Sequence, residues 1–281
     1  MTGPLSAIGP LRSATVLCPD LDAALPTYLA DLDLQLQQDT LFDADDAKAL
    51  QLGELAGQRL CWLGSEHAPR WLRLINAPQA AMNEPMQRHG WLALEVLVAD
   101  CAALVASLGP SWRVLGAPAL LEVSPDITAS QVLGPSGELY YFTEVRAAVP
   151  PFDLPMTRAR VDRPFIAVLS TPAREAAARA FEQRAGLTGW RLDTRITVLN
   201  RALSRPLATQ YPVAVVPLAG QSLIEIDEVE LDQTQLDQVP QASTVAPARH
   251  RQTSGLHSIT LSGPPNPPWQ PSANAWIEWS E

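Results

Sequence analysis

Glu95 stands in the run Trp91-Leu92-Ala93-Leu94-Glu95-Val96-Leu97-Val98, where its neighbours are all apolar. Such a run reads as a strand, and its period of two puts Ala93, Glu95 and Leu97 on one face. By the same period Leu139, Tyr141 and Thr143 share a face in the run Glu138 to Val145. Arg73 interrupts the apolar run Trp71-Leu72-Arg73-Leu74-Ile75, and Gln131 lies just ahead of the Gly134-Pro135 turn. A carboxyl buried in an apolar strand holds its proton to high pH unless a cation pairs with it, which suits general acid–base catalysis. Arg73 is the candidate partner for Glu95. The alternative reading is structural: an Arg73–Glu95 ion pair without chemistry, or charges at a sheet edge in water. Inward charge is costly, and that weighs toward a function.

The same pattern recurs later in the chain. Glu225 lies in Leu223-Ile224-Glu225-Ile226-Asp227 and Glu278 in Trp276-Ile277-Glu278-Trp279. His257 lies in Leu256-His257-Ser258-Ile259, although a lone histidine is more often a hydrogen-bonded structural residue than a ligand. His89, beside Gly90, reads as a loop residue near the Glu95 strand. Lys48 is the single lysine and sits in the polar stretch Asp43 to Lys48, so Schiff-base chemistry through a desolvated lysine has no candidate. No Gly-rich phosphate loop and no Gly-x-Ser-x-Gly motif is present. Cys18, Cys61 and Cys101 are scattered and odd in number, which matches neither a disulfide framework nor a Cys-x-x-Cys metal site.

The elements that must position these residues repeat. Leu11 to Asp20 reads as a strand ending at an aspartate, with Asp20 as N-cap of a helix carrying Leu21, Ala24, Leu25, Tyr28 and Leu29. Trp91 to Asp100 repeats this, followed by a short helix from Cys101 to Leu108. Arg163 to Pro172 repeats it again, with a helix over about 173–185 stopped by Gly186. Leu256 to Ser262 opens a fourth unit without a helix. Further strand-like runs follow each opening: 34–41, 59–63 and 71–75; then 112–115, 130–133 and 138–145; then 190–198, 212–218 and 222–229. The fourth unit shows two, 256–262 and 274–279. Pro150, Pro151 and Pro155 mark a linker, and the stretch of about 231–254 reads as a long irregular loop.

Composition bounds the rest. The 281 residues suit one large or two small domains. Twenty basic and 30 acidic residues give a net charge of −10, without a basic stripe. This argues against nucleic acid and against an anionic membrane surface as partners. No apolar run reaches bilayer length, no secretory leader is evident, and a cytoplasmic setting is the expectation.

Three segments carry a family resemblance. Leu17-Cys18-Pro19-Asp20-Leu21-Asp22 with Tyr28-Leu29-Ala30-Asp31-Leu32 resembles the strand–Asp–helix–Tyr-x-x-x-Leu opening of the vicinal oxygen chelate superfamily, also called glyoxalase/bleomycin resistance/extradiol dioxygenase. Gly134-Pro135-Ser136-Gly137-Glu138-Leu139-Tyr140-Tyr141 resembles its Asp-Pro-Asp-Gly turn into the last strand of a module, and Phe181 to Leu187 resembles its helix end. The resemblance implies an α+β fold of tandem βαβββ modules, four with the last truncated, forming two cup-shaped sheets. It implies an N-terminal domain over 1–147, a Pro-rich linker over 148–160, and a C-terminal domain over 161–281 with a shortened last module.

In that family metal ligands come from the first and last strands of each module. In the first half those positions fall at Ser13, Arg73 or Leu74, Ala93 and Tyr141, so no metal is expected there. The resemblance instead implies a metal-free pocket. Glu95 would be the general base, Tyr141 and Arg73 would stabilise an oxyanion, and Gln131, Ser13, Thr15 and His89 would bind substrate. In the second half Pro164 or Phe165 offers no ligand, but Glu225, His257 and Glu278 form an alternative set for Fe, Mn or Zn. The leading expectation is a metal-independent lyase or isomerase, without cofactor, acting on a carbonyl- or phenol-bearing compound. The alternatives are a non-catalytic small-molecule binding or sequestering protein and a metal-dependent ring-cleaving dioxygenase or lyase. The expected partner is a small molecule, and the resemblance is compatible with a homodimer.

Overall fold

A computed structural model describes residues 6–231, 252–263, 269–272 and 274–280. The first module runs β1 (Leu11–Cys18), α1 (Leu21–Asp31), β2 (Gln35–Leu41), α2 (Ala44–Ala49), β3 (Arg59–Gly64) and β4 (Leu72–Asn76). The second runs β5 (Gly90–Val98), α3 (Cys101–Ser107), β6 (Arg113–Leu121), β7 (Ser124–Leu133) and β8 (Leu139–Val145). The third runs β9 (Val161–Thr171), α4 (Arg174–Ala185), β10 (Trp190–Arg195), α5 (Thr197–Ala202), β11 (Gln210–Leu218) and β12 (Ser222–Glu228). The fourth has β13 (Gly255–Ser262), β14 (Trp269–Ser272) and β15 (Ala275–Ser280).

Local chemistry sets the helix ends. The Asp20 carboxylate accepts from the Ala23 amide at 3.0 Å and Asp100 from Ala103 at 2.8 Å, each satisfying a free donor of the first turn. Gly186 ends α4 at φ 69°, a left-handed position that suits glycine. Several sequence expectations shift: β6 and β7 run well beyond the expected 112–115 and 130–133. The run 190–198 is not one strand but β10 followed by the turn into α5, and the fourth module gains the short strand β14.

Two sheets form. One has seven strands in the order β14-β15-β13-β1-β4-β3-β2, the other eight in the order β10-β11-β12-β9-β5-β8-β7-β6. The first module therefore pairs with the fourth, and the second with the third. The expected boundary between 1–147 and 161–281 does not coincide with the sheets, since each sheet takes a module from both sides of it. The cause is local: the short stretch 148–160 carries the chain from β8 to β9, which then lies antiparallel beside β5. That stretch is more than a linker, because Val149 and Phe152 form a bridge and Phe152 and Leu154 reach the cavity described below.

The main core lies between the sheets and under the helices. Val96, Phe142, Leu169 and Ile224 from one sheet share a cluster with Val16, Leu74, Ile259 and Ile277 from the other, and with Tyr28 and Phe181 from α1 and α4. Alternation then turns Ala93, Leu97, Tyr141, Val168 and Leu223 toward the opposite, concave face of the eight-stranded sheet. Of the expected irregular stretch 231–254, residues 232–251 lie outside the described residues. No helix among the described residues is long and apolar enough to cross a membrane.

Candidate functional site

Strand register assembles the site. Gln131 pairs with Tyr141 across β7 and β8, and Tyr141 pairs with Glu95 across β8 and β5, so these three stand side by side in one row. The row continues through Ile166 to Leu223. The next row on the same face runs Ala93, Val168, Glu225. Asp227, two residues beyond Glu225 and opposite Ser170, occupies the row after that. β9, antiparallel to β5 and parallel to β12, together with the period of two thus brings Glu95, Glu225 and Asp227 onto one concave face.

That face encloses a cavity of about 550 Å³. Glu95, Gln131, Tyr141, Thr143 and Glu225 line it within a largely apolar wall that includes Phe165 and, from the former linker, Phe152 and Leu154. At its rim an ion pair joins Arg195 of β10 to Glu122 of the β6–β7 turn. Leu120 and Val123 of that hairpin are 61% and 53% exposed.

The electrostatics follow from burial without a cation. Glu95 is 8% exposed, and the Thr143 hydroxyl donates to its Oε2 at 3.0 Å. Burial raises the Glu95 pKa, and the charge of Glu225 raises it further. Burial likewise raises Glu225. Asp227, with no exposed surface, is held far above the usual carboxylate range by burial and then by Glu225. Burial and then the three carboxyls keep Tyr141 protonated. Neither Asp227 oxygen nor the Tyr141 hydroxyl has a hydrogen-bond partner among the described residues. Three acids that cannot all ionise together, beside an unpartnered phenol, form a set able to give and take protons near neutrality.

Other expected site residues lie elsewhere. Arg73 does not pair with Glu95. Its guanidinium binds Glu278 and donates to Thr15 Oγ1 at 2.7 and 2.9 Å on the seven-stranded sheet, 5.2 Å from the Trp62 ring centroid. Ser13 donates to Thr260 at 2.8 Å on that same sheet. The reason is the pairing of modules one and four, which removes Ser13, Thr15 and Arg73 from the Glu95 cup. His89 is outside the cavity wall, with Nδ1 3.4 Å from Ser170 Oγ. The set Glu225, His257 and Glu278 does not converge either. Glu225 lines the eight-stranded cavity, Glu278 is paired with Arg73, and His257 Nε2 lies 3.2 Å from the Leu50 carbonyl. Burial pushes His257 down to about 4.

Sequence reasoning missed Asp227 and the contribution of Phe152 and Leu154. The period of two from Glu225 pointed to Asp227; nothing local pointed to the other two.

Two solved structures show what this architecture is similar to. Glyoxalase I from Zea mays superposes with a TM-score of 0.55 at 12% identity, over 91% of this chain and 75% of that one. A putative dioxygenase from Bacillus subtilis superposes with a TM-score of 0.57 at 11% identity, over 93% and 71%. The chain has the vicinal oxygen chelate fold. No protein-family model matches the sequence, and no curated protein does.

The metal that the family resemblance implies is not one that the residues of either cup fit. In the seven-stranded cup the Arg73 guanidinium already occupies Glu278, and its positive charge opposes a second cation. In the eight-stranded cup no histidine lines the wall, and Phe165 stands among the lining residues. Among the described residues no group of three His, Cys, Asp or Glu has metal-binding geometry.

Proposed function

We propose that the chain is an enzyme of the vicinal oxygen chelate type that moves a proton on a small carbonyl- or phenol-bearing compound, as a metal-independent lyase or isomerase. The supporting observation is the pair of buried Glu95 and half-buried Glu225 in one cavity beside Tyr141, whose hydroxyl has no partner among the described residues. Two acids this close do not both ionise at neutral pH, so one holds a proton while the other is the base, and we assign Glu225 as the base and Glu95 as the acid. Glu225 then takes a proton from the carbon next to the substrate carbonyl. The Tyr141 hydroxyl donates to the oxygen that becomes negative, and Glu95 returns a proton to a second carbon or to the leaving group. Gln131, in the same row as Tyr141, holds the substrate oxygen in place.

A second reading, a protein that holds a small molecule without turning it over, draws on the same largely apolar cavity. Proton exchange separates the two. A panel of aryl ketones, acetonaphthone among them, is incubated with the protein in deuterium oxide, and loss of the α-proton signal is followed by NMR. The proposal expects exchange above the buffer rate, reduced on the order of a hundredfold in Glu225→Gln and in Glu95→Gln. Ketones that bind without exchanging, or exchange unchanged in both variants, would overturn it in favour of the second reading.

A further inference from the structure

The three carboxyls of the cup have no cation. Every ion pair among the described residues joins an arginine to some other acid, and none includes Glu95, Glu225 or Asp227. The arginines of the cavity, Arg195 and Arg201, are exposed at its rim, where Arg195 pairs with Glu122 and Arg201 donates to the Leu115 carbonyl. Burying even one ionised acid without a counter-charge is costly, and a ligand that brings a cation relieves that cost. A second observation points the same way. The Tyr141 side chain lines the cavity and is only 8% exposed, and its hydroxyl has no hydrogen-bond partner among the described residues.

We infer that the cavity takes an organic cation: an apolar, ring-bearing body whose ammonium group sits between Glu95 and Glu225 of the wall, beside Tyr141. An ammonium carries a positive charge and N–H donors that the Glu95 and Glu225 carboxyls of the wall can accept. The occupant is organic rather than a bare ion because the volume of about 550 Å³ is walled mostly by apolar side chains such as Phe152, Phe165, Leu192 and Val215. A divalent ion needs a small shell of six or more oxygens instead. This inference names the ligand class of the site proposed above but rests on the cavity and its charges. Binding reads it, whereas proton exchange reads the catalytic proposal, so either can fail alone.

The test uses three molecules of one shape: naphthylmethylamine, naphthylmethanol and naphthoate. Affinities for the purified chain are measured by calorimetry near neutral pH, with calcium, magnesium and manganese chlorides in separate titrations. The amine is expected to bind at least about tenfold tighter than the alcohol, with naphthoate weakest. In the isosteric variants Glu225→Gln and Glu95→Gln that advantage is expected to fall several-fold while the alcohol is unaffected. Thermal unfolding confirms that each variant is folded; if one is not, the series on the unaltered chain decides alone. Equal binding of amine and alcohol, tightest binding of naphthoate, or no binding of the amine up to millimolar concentration would overturn the inference. So would binding of a divalent ion at the same carboxyls with an affinity matching the amine.

Discussion

Glu138 offers a prediction whose size can be worked from the structure. It stands just before β8, is 1% exposed, accepts from the Tyr28 hydroxyl of α1 and accepts at 3.1 Å from the Ser136 amide. Burial pushes its pKa from 4.5 up to about 7, against the opposing effect of those hydrogen bonds. A carboxyl whose folded value is raised stabilises the fold while protonated. That contribution is complete below the unfolded value and is lost as pH rises through about 7. Between about pH 5.5 and about pH 8.5 the loss comes to about 2 kcal/mol. The raised carboxyls of the cup add to it with the same sign. His257 acts oppositely: its value of about 4 means that stability falls as pH drops below the ordinary histidine range. Comparison with Glu138→Gln cancels those shared contributions. The variant keeps the shape and an acceptor for Tyr28 but does not titrate. Urea unfolding of both proteins across this range gives the difference in stability directly. The difference, original chain minus variant, is expected to shrink by about 2 kcal/mol from the acid to the alkaline end. A difference that does not change with pH would refute the assignment of a raised, burial-controlled proton to Glu138.

Two further outcomes follow from the same geometry. Tyr141→Phe removes a hydroxyl that has no partner, so unfolding free energy is expected to stay within about 1 kcal/mol while any proton exchange falls on the order of a hundredfold or more. Arg73→Met strips the cation from Glu278 and Thr15 on the seven-stranded sheet. With Arg73 6% and Glu278 21% exposed, a loss of roughly 2–4 kcal/mol is expected by urea unfolding, with ligand affinity of the eight-stranded cavity unchanged.

What the sequence reveals, and where it stops, follows from the range of the forces involved. Strand positions and faces are written locally. Alternation in 91–98 and 139–145 correctly set Glu95 and Tyr141 on faces that could meet, and the hairpin through Gly134 to Gly137 fixed the register that adds Gln131. Asp20 as a cap and Gly186 as a stop are equally local. Which module shares a sheet with which is not local. The apolar face of β5 is satisfied equally by a strand from the first module or the third, and the choice falls to chain connection through 148–160. Most misplaced site residues come from that one choice; His89, in the second module itself, does not. Arg73, Ser13 and Thr15 went to the other cup, where Arg73 meets Glu278, and Glu225 arrived beside Glu95. Of the acids that interrupt apolar strands, Glu95 and Glu225 share a cavity and Glu278 does not, a grouping that only the topology decides.

The central claim is that Glu95 and Glu225 share one largely apolar cavity, with no ion-pair partner among the described residues, in which both cannot be ionised at neutral pH. Carboxyl-carbon NMR titration of selectively labelled glutamate measures this most directly, in the original chain and in Glu225→Gln. The account predicts a glutamate signal, assigned to Glu95, that titrates well above the ordinary carboxylate range and moves down when Glu225 is neutralised. A Glu95 that titrates like a surface glutamate, or that is unmoved by Glu225→Gln, would contradict it.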